Sequence, residues 1–178
     1  GHEFNDDIRF FSELEVEHAL SGNGKPGEVE IEQAFVEFDL TDNHIARAGL
    51  FLLPVGIINE VHEPNTFFGV ERNPVESNIV PATWWEAGVG LTTYLHDGFS
   101  VDVAVHSGLN TPTAGGNAFK IRNGRQKVAK ADADQGAVTG RLQWTGMPGV
   151  ELETLSVLNQ DCDFKVVLKS QYACAKKV

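Results

Sequence analysis

Residues 85–105 read WEAGVGLTTYLHDGFSVDVAV, and the alternation of apolar and polar side chains along this stretch decides the fold. Val89 and Leu91 share one face of its first half, whereas Glu86 and Thr92 share the other. A period of two residues belongs to a β-strand, in which successive side chains point to opposite faces. The residues HDG at 96–98 have the composition of a tight turn. The stretch therefore predicts an antiparallel β-hairpin.

The same period recurs along the chain and predicts an all-β fold, an antiparallel meander of about seven strands. Between Ile31 and Ala34 the parity of the apolar residues switches, which a β-bulge or a late strand start would explain. The predicted strands cover residues 10–20, 29–40, 45–53, 85–95, 99–105, 138–144 and 150–158.

Short and long connections alternate between these strands. The short ones are residues 41–43, 96–98 and 146–149, and the long ones are residues 21–27, 54–83 and 107–136. A membrane barrel has short periplasmic turns and long outer loops, and its strands of about 9–11 residues cross the bilayer at a tilt. The pattern thus favours a transmembrane β-barrel over a soluble β-sandwich, whose loop lengths need not alternate.

The composition excludes several other classes of function. A net charge of −11 argues against nucleic acid as a partner. No run of 18 apolar residues is present, so no transmembrane helix is predicted. The chain has no nucleophile elbow, Ser-His-Asp spacing or glycine-rich phosphate loop, so we expect neither an enzyme nor a cofactor.

Several motifs resemble bacterial outer-membrane porins related to the phosphate-selective porin group, over about residues 10–155. They are ARAGLFLLPVG at 46–56, NEVHEP at 59–64, FGVERNP at 68–74, IVPATWWEAG at 79–88, GRQK at 124–127 and TGRL at 139–142. The resemblance implies a larger, usually trimeric barrel in the outer membrane of a Gram-negative bacterium. Such a barrel passes ions and small hydrophilic solutes and contacts outer-membrane lipid and lipopolysaccharide.

Two features depart from that pattern. About seven strands are visible, whereas single-chain bacterial barrels have an even number of eight or more. Residues 159–178 form an atypical tail that contains Cys162 and Cys174 and lacks a closing aromatic residue. We therefore expect residues 1–158 to be the N-terminal part of a porin barrel, in a truncated chain that does not close a pore alone.

A porin needs charges on the polar faces of its strands and at a constriction. We expect the long connection 54–83 to fold into the pore, and a Glu-rich chain to give general or weakly cation-favouring passage rather than phosphate selectivity. The spacing of Glu60, His62 and Glu63 matches no metal motif, so no metal site is predicted. The pore-lining or constriction candidates are Glu37, Arg47, Glu60, His62, Glu63, Glu71, Arg72, Glu86, Asp102 and Arg141.

A basic stretch and the large aromatic residues have two readings each. The basic stretch is either an anion-attracting mouth that also suits lipopolysaccharide phosphates or, the favoured interpretation, a solvated external loop. Trp84, Trp85, Trp144 and Tyr94 lie near strand ends, as in an aromatic girdle, and Trp85 shares the parity of the lipid-facing residues. Simple sheet packing is the alternative. The basic residues are Lys120, Arg122, Arg125, Lys127 and Lys130.

The alternative function is a soluble, secreted β-sandwich that binds carbohydrate through exposed aromatics, and a β-sandwich hydrolase with a Glu pair is a third hypothesis. The environment of the apolar strand faces distinguishes the porin from the two sandwich hypotheses. In a porin the face that carries Val89 and Val103 points outward, whereas in a sandwich a second sheet buries it.

Overall fold

The computed structural model describes residues 1–17, 23–24, 27–67, 69–131, 136–159, 162–166 and 174–175. These residues form one sheet in which every strand pairs antiparallel with its neighbours in sequence order. The predicted all-β antiparallel meander is therefore confirmed. The strands are β1 (His2–Asn5), β2 (Ile8–Glu17), β3 (Glu28–Thr41), β4 (His44–Leu52), β5 (Trp85–Tyr94), β6 (Phe99–Ser107), β7 (Gly136–Met147), β8 (Val150–Asn159), β9 (Cys162–Val166) and β10 (Cys174–Ala175).

The sheet has three short strands that the alternation did not predict. β1 has 4 residues, β9 has 5 and β10 has 2, which is too short for a period of two to be visible. Asn159, the first residue of the predicted tail, ends β8, and β9 and β10 also lie within that tail. The rest of the tail, the side chains of both cysteines, residues 18–20 of the first predicted strand and most of the connection 21–27 are outside the described residues. Among the residues described, β1 and β10 are the two unpaired edges of an open sheet.

A β-bulge in β3 accounts for the switch of parity. Glu13 pairs with Gln33 and the next residue, Leu14, pairs with Ile31, so Glu32 has no residue opposite it. This confirms the bulge, which keeps apolar residues on one face of the strand on both sides of it.

The register places apolar side chains together on one face, here called the outer face. Val89 lies opposite Val105, and Leu91 lies opposite Val103. Val89 is 56% exposed and Val103 43% exposed. In the described part of the chain no second sheet covers this face, contrary to what a β-sandwich requires.

The core lies on the opposite, inner face, where two long connections fold over the strands. Residues 53–84 contain a 3₁₀-helix, Pro64–Thr66, and a π-helical turn, Val75–Ile79, and residues 108–131 contain α1, Ile121–Gly124. None of the described helices is long and apolar enough to span a membrane. The buried apolar cluster consists of Phe51, Leu53, Val55, Val80, Trp84, Ala104, Leu109, Ile121, Leu155 and Val157.

Replacing Gly88 with Ala should destabilise the sheet, because Gly88 is packed against the backbone of β6. A Cβ there would lie 2.2 Å from the carbonyl oxygen of Val105 and 2.8 Å from the Cα of His106. Relieving this overlap requires strands to shift, at a cost of about 1–3 kcal/mol in the free energy of unfolding. Urea titration of the folded protein measures the change.

Gly140→Ala is the matched control, since a Cβ on Gly140 would meet no described atom within 4 Å. It should leave the free energy of unfolding unchanged or slightly increased. Equal losses in both variants would contradict the close approach of β5 and β6 at Gly88.

Candidate functional site on the inner face

Six charged residues form a continuous row of ion pairs across the inner face. Neighbouring strands bring them together, because Glu37 pairs with both Arg9 and Arg47 in the registers of β3, and Asp102 lies opposite Arg141. Arg9 Nη2 lies 2.9 Å from Glu37 Oε1, and Arg47 Nη2 lies 3.8 Å from Glu37 Oε2. We call Arg9, Glu37, Arg47, Glu60, Arg141 and Asp102 the charge row.

Glu60 joins the two halves of the charge row from the first connection. Its Oε1 lies 3.7 Å from Arg47 Nη1, and its Oε2 accepts a hydrogen bond of 2.6 Å from Arg141 Nη1. Since Arg47 is on β4 and Arg141 on β7, one carboxylate links two strands that are three positions apart in the sheet. The charge row therefore lies on the inner face of the sheet and also fixes the first connection to that face.

The Arg141 end of the row is the most buried part. Arg141 Nε donates to Asp102 Oδ2 at 2.9 Å, and each side chain is only 10% exposed. Thr92 Oγ1 donates to the other carboxylate oxygen of Asp102 at 2.7 Å. A buried ion pair depends on such complete pairing, because removal of one partner leaves an uncompensated charge.

Aromatic rings flank the other end of the row. The Arg47 guanidinium lies 5.7 Å from the ring centroid of Phe35 and 6.0 Å from that of Phe51, within cation–π range. Phe11 contacts Phe35 at a centroid distance of 5.5 Å. Phe11 and Phe35 belong to the inner face, which is otherwise mainly polar along β2 and β3.

His62 fixes a second point of the first connection to the wall. Its Nε2 lies 3.1 Å from Oε2 of Glu32, the bulged residue of β3, and its Nδ1 lies 3.1 Å from the carbonyl oxygen of Asn59. The hydrogen bond with Glu32 raises the pKa of His62 above the ordinary value of 6.5, although burial acts in the opposite direction. The contact with Glu32 therefore favours the protonated form of His62.

Two buried polar residues that sequence reasoning missed shape the first connection. The Asn59 side-chain amide donates to the carbonyl oxygens of Leu53 and Trp84, and its oxygen accepts from the Trp84 N–H at 2.6 Å. Glu76 accepts from the Ile57 N–H, and burial raises the pKa of its carboxyl. An Asn or Glu in a long connection gives no sequence signal that it will be buried.

Two expectations about strand β5 are wrong. Glu86 does not line open space: it is fully buried and accepts hydrogen bonds from Trp84 Nε1 and Ser107 Oγ. Trp85 does not lie on the exposed outer face but is 5% exposed, with Lys127 Nζ 4.4 Å from a ring centroid. Both residues begin the strand, where the connections cover it, so parity along the strand does not decide their burial.

The basic stretch is only partly a solvated loop. Arg122 Nη1 donates to the carbonyl oxygen of Ser77 at 2.7 Å, and Arg125 Nη1 donates to that of Thr83 at 2.6 Å. Lys127 Nζ lies 2.8 Å from Glu30 Oε1. These three residues bind the second connection to the first and to β3, which corrects the favoured interpretation, whereas Lys120 and Lys130 are exposed as expected.

The basic side chains face acidic ones across a polar cavity of ≈ 220 Å³. Burial, together with the neighbouring Arg122, lowers the pKa of Arg125 to about 10. Arg72 donates to Thr83 Oγ1 at 3.2 Å from the same side. The cavity is lined by Glu15, Glu30, Glu32, Arg72, Ala82, Thr83, Trp85, Arg122, Arg125 and Lys127.

Two further candidates, Glu63 and Glu71, belong neither to the charge row nor to the lining of the polar cavity. Glu63 and Glu71 are exposed on the first connection. Glu60 contacts arginines while His62 contacts Glu32, so these neighbours in sequence diverge in space. Within the described residues no group of three or more His, Cys, Asp and Glu side chains could hold a metal ion.

Comparison with known proteins gives a relative but no function. No protein-family model matches the chain. Over 146 residues it is 35% identical to an uncharacterized protein of Aquifex aeolicus (strain VF5). The match covers 81% of this chain and 33% of that protein, so the chain corresponds to about a third of the relative's length.

The stability of the protein should fall as the pH rises through the raised pKa of His62. A raised folded-state pKa means that this stabilisation is complete below about 6.5 and disappears as His62 loses its proton at higher pH. Urea titrations at a series of pH values should show the loss, and His62→Gln should remove this part of the pH dependence.

His96→Gln, the same substitution at an exposed turn residue, serves as the control and should keep the wild-type dependence. An identical pH profile for His62→Gln and the wild type would show that the contact with Glu32 does not depend on the charge of His62.

Proposed function

We propose that this sheet is part of the wall of a transmembrane β-barrel, an outer-membrane porin for passive diffusion of ions and small hydrophilic solutes. The proposal depends on one observation: the apolar side chains of the sheet are exposed and the charged ones lie on the covered face, the reverse of the distribution in a water-soluble protein. Val89, Val103 and Val105 are exposed on the outer face, whereas the charges of the charge row lie on the inner face. A sheet in water hides its apolar face, but a barrel in lipid presents it outward.

The lengths of the strands support the proposal. β2, β5 and β8 each have 10 residues, β4 and β6 have 9, and β7 has 12. A tilted transmembrane strand needs about 9–11. The short connections β1–β2, β3–β4, β5–β6 and β7–β8 lie at one end of the sheet, and the long connections after β2, β4 and β6 lie at the other, as in outer-membrane barrels. The link from β8 to β9 departs from this pattern, because only two residues separate Asn159 from Cys162 at the end with the long connections.

Aromatic residues gather at the end with the tight turns. The Phe99 and Trp144 rings are 6.3 Å apart, and Trp144 Nε1 donates to the carbonyl oxygen of Asp97 in the adjacent turn. Amphipathic rings at this height suit the interface between lipid and water.

The inner face suits transport rather than catalysis. The charges of the charge row are paired with one another, and Glu60 holds the first connection inside the curve of the sheet. With a net charge of −11, we expect general or weakly cation-favouring passage. The proposed setting is the outer membrane of a Gram-negative bacterium, in contact with lipid and lipopolysaccharide.

Closure of the pore requires strands beyond those described. The open edges at β1 and β10 would leave backbone groups unsatisfied in lipid. A relative about three times as long as the matched segment is consistent with a larger barrel. In the proposed assembly, additional strands close each barrel and three barrels form the trimer.

Planar-bilayer recording tests the proposal. We expect the full-length protein, with the strands that close the barrel, to give discrete, reproducible conductance steps after refolding, with a reversal potential in a salt gradient that indicates a weak preference for cations. Absence of conductance, together with a monodisperse species in buffer without detergent, would contradict the porin and favour a soluble module.

Val103→Arg should oppose membrane insertion, because it places a charge at the centre of β6 on the outer face. A lipid-facing Arg near the bilayer midplane costs about 2–4 kcal/mol. Ala114→Arg adds the same charge to an exposed part of the second connection and should be tolerated. The free energy of unfolding from lipid vesicles measures both, and equal stability of the two variants would show that lipid does not cover the outer face.

A further inference from the structure

A groove opens on the inner face beside the Arg9 end of the charge row. Its volume is ≈ 740 Å³. Binding sites for small organic molecules typically measure about 300–1,000 Å³ and combine apolar walls with a few polar groups. Strands β1 to β4 form most of the wall, and the residues used below are Arg9, Phe11, Phe35, Glu37, Arg47 and Glu60.

The floor of the groove contains aromatic rings where polar side chains would be expected. Phe11 is 43% exposed although it shares the inner parity of Arg9 and Glu13 on β2. It contacts Phe35, which in turn contacts Phe51 at a centroid distance of 6.5 Å. Phe51 is fully buried, so it fixes the position of Phe35 from below. The apolar core therefore continues into the open groove as two supported rings.

The arginines beside these rings already have carboxylate partners. Arg9 donates to both oxygens of Asp39 at 2.6 Å and to Glu37 at 2.9 Å. Arg47 lies between the carboxylates of Glu37 and Glu60. An anionic solute would have to displace one of these carboxylates from its arginine. A neutral solute with hydroxyl groups can use the remaining lone pairs of the carboxylates and N–H groups of the arginines without breaking any pair.

We propose that the groove binds a neutral sugar, with the C–H face of a sugar ring against Phe11 and Phe35 and its hydroxyls hydrogen-bonded to Glu37, Arg47 and Glu60. A sugar ring combines an apolar face with a rim of donors and acceptors, which matches the two kinds of surface in the groove. The inference rests on the proposed function, in which this face lines the pore, and it names neutral saccharides as a class of solute.

Isothermal titration of maltotriose into the folded, full-length protein in detergent tests the inference directly. We expect saturable binding that Phe11→Ala weakens about tenfold, as loss of one aromatic contact implies. Phe11→Tyr keeps the ring and should restore binding. Leu14→Ala truncates an exposed residue of the same strand on the outer face and should leave the affinity unchanged. Inorganic phosphate should not displace maltotriose.

Three results would overturn the inference: no saturable binding by folded protein, equal affinity in Phe11→Ala and Leu14→Ala, or displacement of maltotriose by phosphate. Circular dichroism of each variant verifies that the sheet is intact. The titration needs no pore, so its failure is distinguishable from a failure of the proposed function. If the protein conducts ions but binds no maltotriose, the proposed porin function stands and the proposed sugar site is contradicted.

Discussion

The buried pairing of Arg141 with Asp102 and Glu60 is the constraint on which the rest of the inner face depends. Asp102 and Arg141 meet because β6 and β7 pair in register, and Glu60 reaches them from a connection that is distant in sequence. Each partner satisfies a charge that would be costly to bury alone. The pairing therefore holds the first connection against the inner face of the sheet. Asn59 and His62 fix the path of that connection on either side of Glu60.

Holding the connections on one side leaves the other side of the sheet uncovered. The buried cluster around Phe51 and Val157 uses the inner face and the two connections, so the outer valines and leucines contribute nothing to a core. An exposed apolar surface of this kind needs another environment, and lipid satisfies it without a second sheet. The proposed porin and the groove beside Arg9 depend on the same arrangement. The connections cover one part of the inner face and leave the groove open beside Arg9.

Backbone irregularities position side chains that regular strands would direct elsewhere. The bulge at Glu32 restores the parity of β3 and also places an acidic side chain beside His62. Opposite each other in β4 and β5, Gly49 and Gly88 allow the neighbouring strands to approach closely. The relationship to a longer, uncharacterized protein indicates that this sheet belongs within a larger chain in at least one relative.

The sequence alone predicted the strands β2 to β8 and their order, and it offered a bulge in β3 as one of two explanations for the switch of parity. It also placed Glu37, Arg47, Asp102 and Arg141 on the polar face, because alternation and turn composition are local properties of the backbone. It led us to expect that residues 54–83 fold into the pore, but it did not show which of them contact the strands. The tertiary contacts were needed to show that Glu86 and Trp85 are buried and that Asn59 and Glu76 shape the first connection. They also show that Arg122 and Arg125 bind the two connections together and that Lys127 binds the second connection to β3. These contacts join residues far apart in the chain, and no periodicity records which distant side chains will cover a given strand end.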